Sequence, residues 1–276
     1  MSIADCLKSA NTLQSDTARL DVELLLAKVI EKPRSYLYTW PGHLLTPTQY
    51  EAFAGLLERR RAGEPVAYLL GEKEFWSLTL RVNESTLIPR AETELLVETA
   101  LSLLPNQPLK VLDLGTGSGA IALALATERV EWKILAVDKS PAAVGLAAEN
   151  CRALEFSNVN FRVSDWFDSV SARNFDLIVA NPPYIDADDP HLNEGDVRFE
   201  PHSALISEKG GLADLELIIA HARDYLNPKG WLIVEHGYCQ GEAVHRLFAD
   251  HGYAMTSVKQ DLSQRDRITL GQNATS

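Results

Sequence analysis

Apolar residues recur at helical spacing through Leu20, Leu24, Ala27 and Ile30, and the first 70 residues read as helices. Thr46-Pro47-Thr48-Gln49 has the form of a capping box, with Pro47 where no intrahelical donor is needed. The helix it opens runs through Leu56 and Leu57 to Arg61, with Gly63 as its stop. At residues 74–88 the period changes. Trp76, Leu78, Leu80 and Val82 alternate as in a strand, and a second extended piece, Thr86-Leu87-Ile88-Pro89, is expected to pair with it as a hairpin.

From about residue 90 the pattern is a helix over 92–104 and then repeated strand and helix. Strands are expected at 110–114, 133–137, 159–163, 175–180 and 231–235, helices after 119 and 141 and over 212–225 and 242–250, and two strands at the end. Alternating β and α with apolar strand runs implies an α/β domain, a parallel sheet covered on both faces. The resulting division is 1–71 helical, 72–88 a hairpin linker, and 89–276 the α/β domain. Ligands in such sheets lie beyond the carboxyl ends of the strands, and every motif described below falls there.

Composition adds little to this picture, and charge adds more. At 276 residues, 46% hydrophobic and 23% charged, the chain has the ordinary mix of a globular protein and suits two domains. No apolar run is long enough to span a bilayer, and the segment 22–30 is broken by Glu23 and Lys28, unlike a signal peptide. Three cysteines (Cys6, Cys151, Cys239), without metal-ligand spacing, point to a reducing cytoplasm and to no metal site. The net charge is −12; residues 1–85 carry 10 Lys/Arg against 11 Asp/Glu, so the acidity lies in the remainder. That is a poor match for phosphate backbones and a better one for a basic protein partner. The triplet Arg59-Arg60-Arg61 reads first as positive charge at the negative end of a helix dipole and second as a docking patch.

Asp113-Leu-Gly115-Thr116-Gly117-Ser118-Gly119 follows a strand and opens a helix. Such a turn lets a ligand lie against the backbone, and on its own it also suits a dinucleotide. Asp138, ending the next strand, is placed for ribose hydroxyls in either case. Two features favour S-adenosylmethionine. A carboxylate at Asp113 would repel a pyrophosphate but suits ammonium and sulfonium groups. In Ser164-Asp165-Trp166-Phe167 the acid can accept from an adenine amino group while the indole packs on the ring, plain core packing being the alternative for Trp166.

Asn181-Pro182-Pro183-Tyr184 follows a buried strand, and two prolines fix a rigid loop there. An amide NH2 is a poor nucleophile because its lone pair is delocalised. If the Asn181 side-chain oxygen and the Pro182 carbonyl each accept one N–H, electron density shifts to nitrogen and the nitrogen is aimed for in-line methyl transfer, with Tyr184 against the planar amide. Asn181, Pro182 and Tyr184 are therefore the candidate catalytic residues, and Asn181 to Tyr184 the substrate grip. No strong base is needed, so no histidine among His191, His202, His221, His236, His245 and His251 is given a role. Asp186, Asp188 and Asp189 form either a solvated loop or the rim for a basic substrate.

With these residues in hand the chain resembles the HemK/PrmC family, protein-(glutamine-N5) methyltransferases of peptide chain release factors. The resemblance runs from Gly63-Glu-Pro-Val-Ala-Tyr-Leu-Leu-Gly71 through Glu74-Phe-Trp-Ser-Leu78 and Leu87-Ile-Pro-Arg90 to Asp196-Val-Arg-Phe-Glu-Pro201, and includes the three motifs above. It implies a Rossmann-like, seven-stranded, mostly parallel SAM-dependent methyltransferase domain behind a small all-helical N-terminal domain that helps grip the release factor. It also implies methylation of the glutamine in a Gly-Gly-Gln loop, with S-adenosyl-L-homocysteine as product. Cofactor contacts are expected from Asp113, Gly115 to Gly119, Asp138, Asp165, Trp166 and Asn181. One departure is Ala91, where the family usually has Pro before the acidic helix; Arg90, Thr93 and Glu94 lie at the site's edge, as site groups or as helix caps. Alternatives are a glutamine methyltransferase of a ribosomal protein, an adenine-N6 methyltransferase sharing the tetrapeptide, and a SAM-binding sensor without turnover. The acidic balance and the lack of a nucleic-acid-binding fingerprint disfavour the second.

Overall fold

The structure is a computed structural model and describes residues 1–274. It separates into two compact units. One comprises Met1–Lys73 together with Asn193–Phe199, and the other Glu74–Leu192 with Glu200 onward.

The first unit contains helices α1 (Ile3–Leu7), α2 (Ala18–Ile30), α3 (Arg34–Thr39), α4 (Pro47–Arg61) and α5 (Val66–Leu70). The capping box at Thr46 forms, with Gln49 N donating to Thr46 Oγ1 at 3.2 Å and Thr46 N to Gln49 Oε1 at 3.0 Å. The expected stripe on α2 is rotated. Val22, Leu25, Leu26 and Ile30 are buried, whereas Leu20 is exposed. The cause is that α2 packs against all four other helices, so its buried face is wide enough to take in Asp21 and Glu23 as well. Arg60 also departs from both sequence readings. It is half-buried, donates to Asp21 Oδ2 and Asp196 Oδ1 at 2.8 Å each, and so ties residues 193–199 into this unit, while Arg59 pairs with Glu64 and Arg61 with Glu58.

The hairpin differs from the expected one. Strands β1 (Glu72–Phe75) and β2 (Leu78–Arg81) pair with each other, and residues 86–89 are not a strand. Trp76 and Ser77 both take positive φ (51° and 59°), the conformation of a two-residue hairpin turn, which cuts the alternation the sequence suggested. A 3₁₀ turn (Ala91–Thr93) then leads into α6 (Glu94–Leu103), where a single helix was expected.

The second unit is a seven-stranded sheet built from β3 (Lys110–Leu114), β4 (Lys133–Asp138), β5 (Val159–Val163), β6 (Phe175–Ala180), β7 (Leu226–Glu235), β8 (Tyr253–Gln260) and β9 (Asp266–Asn273). The order is β5-β4-β3-β6-β7-β9-β8, and β9 alone among the described strands runs antiparallel to the rest. The central strands read as unbroken apolar runs because alternate residues serve two cores. Val111, Leu177, Val179 and Ile233 face one, and Leu112, Leu114, Ile178, Leu232 and Val234 the other. Helices α7 (Ala120–Glu128), α8 (Pro141–Ala153), α10 (Ala213–Ala222) and α11 (Gly241–Asp250), and the kinked turn α9 (Glu208–Gly211), complete the unit. No helix among the described residues is long and apolar enough to cross a membrane.

Candidate active site

Strand register sets the site. Leu114 pairs with Val137 on one side and Ala180 on the other, and Ala180 pairs with Val234. The next residue on each strand is therefore Asp138, Gly115, Asn181 and Glu235, a row of polar or glycine positions across the carboxyl edge where the apolar runs stop. An open cleft of about 910 Å³, mouth included, lies along this edge.

The glycine turn forms the cleft's wall. Gly115 and Gly117 have φ of 71° and 56°, a region L side chains rarely occupy. A Cβ on Gly117 would meet open space, so its backbone faces the cleft, whereas one on Gly115 would come within 3.3 Å of the Trp166 ring. Gly119 faces elsewhere. A Cβ there would press on Ala147 at 3.2 Å, so this glycine permits the packing of α7 on α8 rather than lining the cleft.

Asp138 accepts from Gly117 N through Oδ2 and from Ser140 N through Oδ1, both at 2.9 Å. Each oxygen keeps a second lone pair for a ribose hydroxyl. Asp113 is fully buried beneath the turn and does not reach the cleft wall. Its Oδ2 accepts from Thr116 Oγ1 at 2.6 Å, and its Oδ1 meets no donor at hydrogen-bond distance. Burial pushes its carboxyl up to about 7, and repulsion from Asp138 adds to the rise against the pull of the Thr116 hydroxyl.

Trp166 lines the cleft with φ of 41°, in a turn held by Ser164, whose hydroxyl donates to Trp166 O and accepts from Ser169 N at 2.9 Å each. Its indole N–H donates to Asp214 Oδ1 at 3.1 Å, so the ring is oriented as well as packed. Asp165 is exposed at the cleft's edge. The arrangement fits S-adenosylmethionine: an acid for the ribose, a fixed aromatic face for the adenine, glycine backbone in between, and an orphaned buried carboxylate oxygen that favours a nearby cation.

Asn181 and Pro183 line the same cleft, while Pro182 is buried and Tyr184 is half-buried behind it. Asn181 Nδ2 donates to Thr93 Oγ1 at 3.2 Å. The Tyr184 hydroxyl points inward and donates to Glu235 Oε1 at 3.2 Å, and its backbone carbonyl accepts from Gln240 Nε2 at 3.0 Å. Gly211 packs so closely that a Cβ there would fall 2.1 Å from Tyr184 O. The loop is thus held from two sides, beyond the stiffness of its prolines. No histidine lines the cleft among the described residues; His236 is fully buried with both ring nitrogens engaged, by Gly237 O and Thr269 Oγ1. Among the described residues no cluster of three His, Cys, Asp or Glu is placed to hold a metal.

Arg90 and Thr93, expected at the site's edge, do line the cleft; sequence reasoning missed two other groups. Ser85, Thr86, Leu87 and Pro89 also line it, and buried Glu200 holds this stretch by accepting from Ile88 N at 3.3 Å and pairing with Arg90. Glu235 had no role, although an acid closing an apolar strand is itself a signal.

Comparison with known proteins gives the family. Residues 2–71 match the PrmC N-terminal domain family, and residues 105–274 match a methyltransferase domain family. A protein of Pseudomonas aeruginosa named release factor glutamine methyltransferase is 52% identical over 271 residues, covering 98% of each chain. The chain belongs to the release factor glutamine methyltransferase family. Members of that name from Aliivibrio fischeri and Escherichia coli are 50% and 48% identical over 94% of this chain, covering 91% and 93% of their own length. A solved methyltransferase from Pyrococcus furiosus shares the fold with a TM-score of 0.55 at 17% identity, covering 72% of this chain and 90% of its own. The family places the enzyme among SAM-dependent methyltransferases, with the Rossmann-like sheet that the strand order displays.

Proposed function

We propose that this enzyme transfers the methyl group of S-adenosylmethionine to the side-chain amide nitrogen, N5, of the glutamine in the Gly-Gly-Gln motif of peptide chain release factors. The observation that carries the chemistry is the Asn181 amide. Its NH2 is committed to Thr93, which leaves Oδ1 as an acceptor at the cleft. The cofactor supplies an electrophilic methyl group on a positively charged sulfur.

Asn181 Oδ1 accepts one N–H of the glutamine amide and the Pro182 carbonyl the other, which raises electron density on nitrogen and fixes its direction of attack. The N–C bond forms as the C–S bond breaks, and the methylated amide then releases one proton to water, so no base is required. Tyr184, behind the cleft with its hydroxyl anchored on Glu235, braces the loop that presents Asn181 and Pro182. Asp138 holds the ribose and Trp166 the adenine. With Gly115, Thr116, Gly117 and Ser118 at the cleft, the wall is mainly backbone and small side chains. The net charge of −12 favours a protein partner over nucleic acid, and three unpaired cysteines suit the reducing cytoplasm.

The test supplies labelled S-adenosylmethionine to the purified protein with release factors, ribosomal proteins and oligonucleotides in parallel, and maps label by mass. Label on the glutamine of Gly-Gly-Gln is expected. Label on a ribosomal-protein glutamine or on adenine, with none on release factors, would replace this reading.

A further inference from the structure

One side chain behind the cleft joins three separate segments of main chain. Gln240, half-buried at the start of α11, commits its amide to backbone groups only. Its Oε1 accepts from Gly237 N at 2.8 Å, and its Nε2 donates to Tyr184 O at 3.0 Å and to Gly210 O at 3.2 Å. A backbone N–H can only donate and a backbone carbonyl can only accept, so these partners allow the amide a single orientation. Gln240 is itself held in place: its backbone N donates to Gly237 O and its carbonyl accepts from Val244 N, at 2.9 Å each. It lines no part of the cleft.

The turn α9 closes the other side of this joint. Lys209, Gly210 and Gly211 take φ of 57°, 68° and 81°, three left-handed residues in succession. Gly211 thereby passes where a Cβ would fall 2.1 Å from Tyr184 O and 2.8 Å from Gln240 Nε2. Just beyond Tyr184, Ile185 N donates to Leu205 O and Ser207 N donates to Ile185 O, at 2.9 Å each. The loop is therefore fixed immediately downstream of its two prolines. Their rings lock φ at residues 182 and 183. Few free rotations then separate the Tyr184 carbonyl from the Pro182 carbonyl, so a pin on the first sets the direction of the second.

We infer that Gln240 is a positioning residue for methyl transfer: its amide pins the Tyr184 carbonyl against the α9 turn and so directs the Pro182 carbonyl that takes one N–H of the substrate amide. The inference rests on the acceptor roles given above to Asn181 and Pro182. A grip on a planar NH2 needs both oxygens in place at once. Asn181 is set through its own side chain by Thr93, whereas the Pro182 oxygen is set only through the main chain. Losing the pin displaces that oxygen without removing any group that touches substrate or cofactor, so the chemical step slows while binding persists. A carboxylate in place of the amide would keep the bond from Gly237 N but turn lone pairs on Tyr184 O and Gly210 O. The charges on the elements around it are mostly acidic, Asp186, Glu208, Glu235, Glu242 and Asp266 against Lys209 and Arg267. A protonated carboxyl has the amide's shape, with one acceptor and one donor, and restores the bond to Tyr184 O.

The experiment measures kcat against pH from about 5 to 9, KM for release factor, SAM affinity and thermal stability for wild type, Gln240→Met, Gln240→Glu and Asn181→Ala. Gln240→Met, close in length but without hydrogen-bonding groups, is expected to lose on the order of tenfold or more in kcat, with KM and SAM affinity within about threefold. Gln240→Glu is expected to be slow at high pH and to approach wild type as pH falls, the ratio of the two kcat values rising on the order of tenfold. That recovery separates the donor to Tyr184 O from packing, which pH leaves unchanged. If Gln240→Met does not fold, the pH-dependent ratio for Gln240→Glu carries the test. Wild-type kcat in Gln240→Met, or a ratio for Gln240→Glu that stays flat with pH, with Asn181→Ala inactive, would overturn the inference and leave the Asn181 clamp standing. Full turnover by Asn181→Ala would remove the clamp itself and this inference with it.

Discussion

Two glutamates, one in each unit, are each 1% exposed, yet they lie at opposite ends of the carboxylate range. Glu23 on α2 is pushed up by burial, but hydrogen bonds from Tyr38, Arg34 and Arg19 outweigh that and hold it down at about 2. Arg19 Nε and Arg34 Nη2 both reach it at 2.7 Å. Glu235 on β7 has one hydroxyl on Oε1 and nothing at hydrogen-bond distance on Oε2, and burial takes it up to about 7. Equal exposure therefore says little about charge: Glu23 lies just under half-exposed Arg19 and Arg34 and is fully paired, whereas Glu235 lies deep with a single hydroxyl donor. The helical unit satisfies its carboxylate fully, as a structural ion cluster does. The catalytic unit leaves two buried carboxylates, Glu235 and Asp113, each with an orphaned oxygen, and both lie at the carboxyl edge of the sheet beside the cleft. Under-satisfied acids concentrated at one edge are the electrostatic mark of a working site.

Three experiments break or sharpen this contrast. The largest effect is expected from Asp113→Asn. A carboxylate raised from 3.8 to about 7 costs stability when ionised, so the wild type loses stability as pH rises through that window and stays lower above it. The amide keeps an acceptor for Thr116 without the charge, so the variant should gain roughly 2–4 kcal/mol at pH 8 and almost nothing near pH 4. Denaturant unfolding at several pH values measures this, and an equal gain at every pH would show that Asp113 is not the titrating group. Next is Asp138→Ala, expected to weaken SAM binding on the order of tenfold or more by calorimetry, since it removes the ribose acceptor and frees Gly117 N and Ser140 N. An unchanged affinity would contradict the ribose contact. The smallest is Glu23→Gln. A carboxyl lowered from 4.5 to about 2 contributes stability above pH 4.5 that is lost as pH falls towards 2. With Arg19 and Arg34 half-exposed at 55% and 47%, screening reduces the expected loss at neutral pH to about 1 kcal/mol. A loss that persists unchanged at pH 2 would mean packing, not charge, is responsible.

Much of the site is legible in the chain because its parts are contiguous. The glycine turn, Asp138, Ser164 to Trp166 and Asn181 to Tyr184 each sit within a few residues of a strand end, where period and composition change together. The misreadings have local causes. The hairpin shifts because Trp76 and Ser77 take the left-handed conformation, which apolar alternation does not report. The stripe on α2 rotates because a helix surrounded by others buries more than one face. Arg60 looks like a solvated end charge until Asp21, 39 residues away, and Asp196, 136 residues away, are folded against it.

The sequence by itself determined the α/β architecture, the helical start of the chain, the cofactor turn and the rigid polar loop, since each depends on interactions among near neighbours. Only the tertiary structure decided which way those groups act. Register brings Gly115, Asn181 and Glu235 side by side, and Thr93 arrives from a turn 88 residues before Asn181. The direction of an amide and the charge of a buried acid are properties of an enclosed cluster. They exist only once the strands are paired and water is gone.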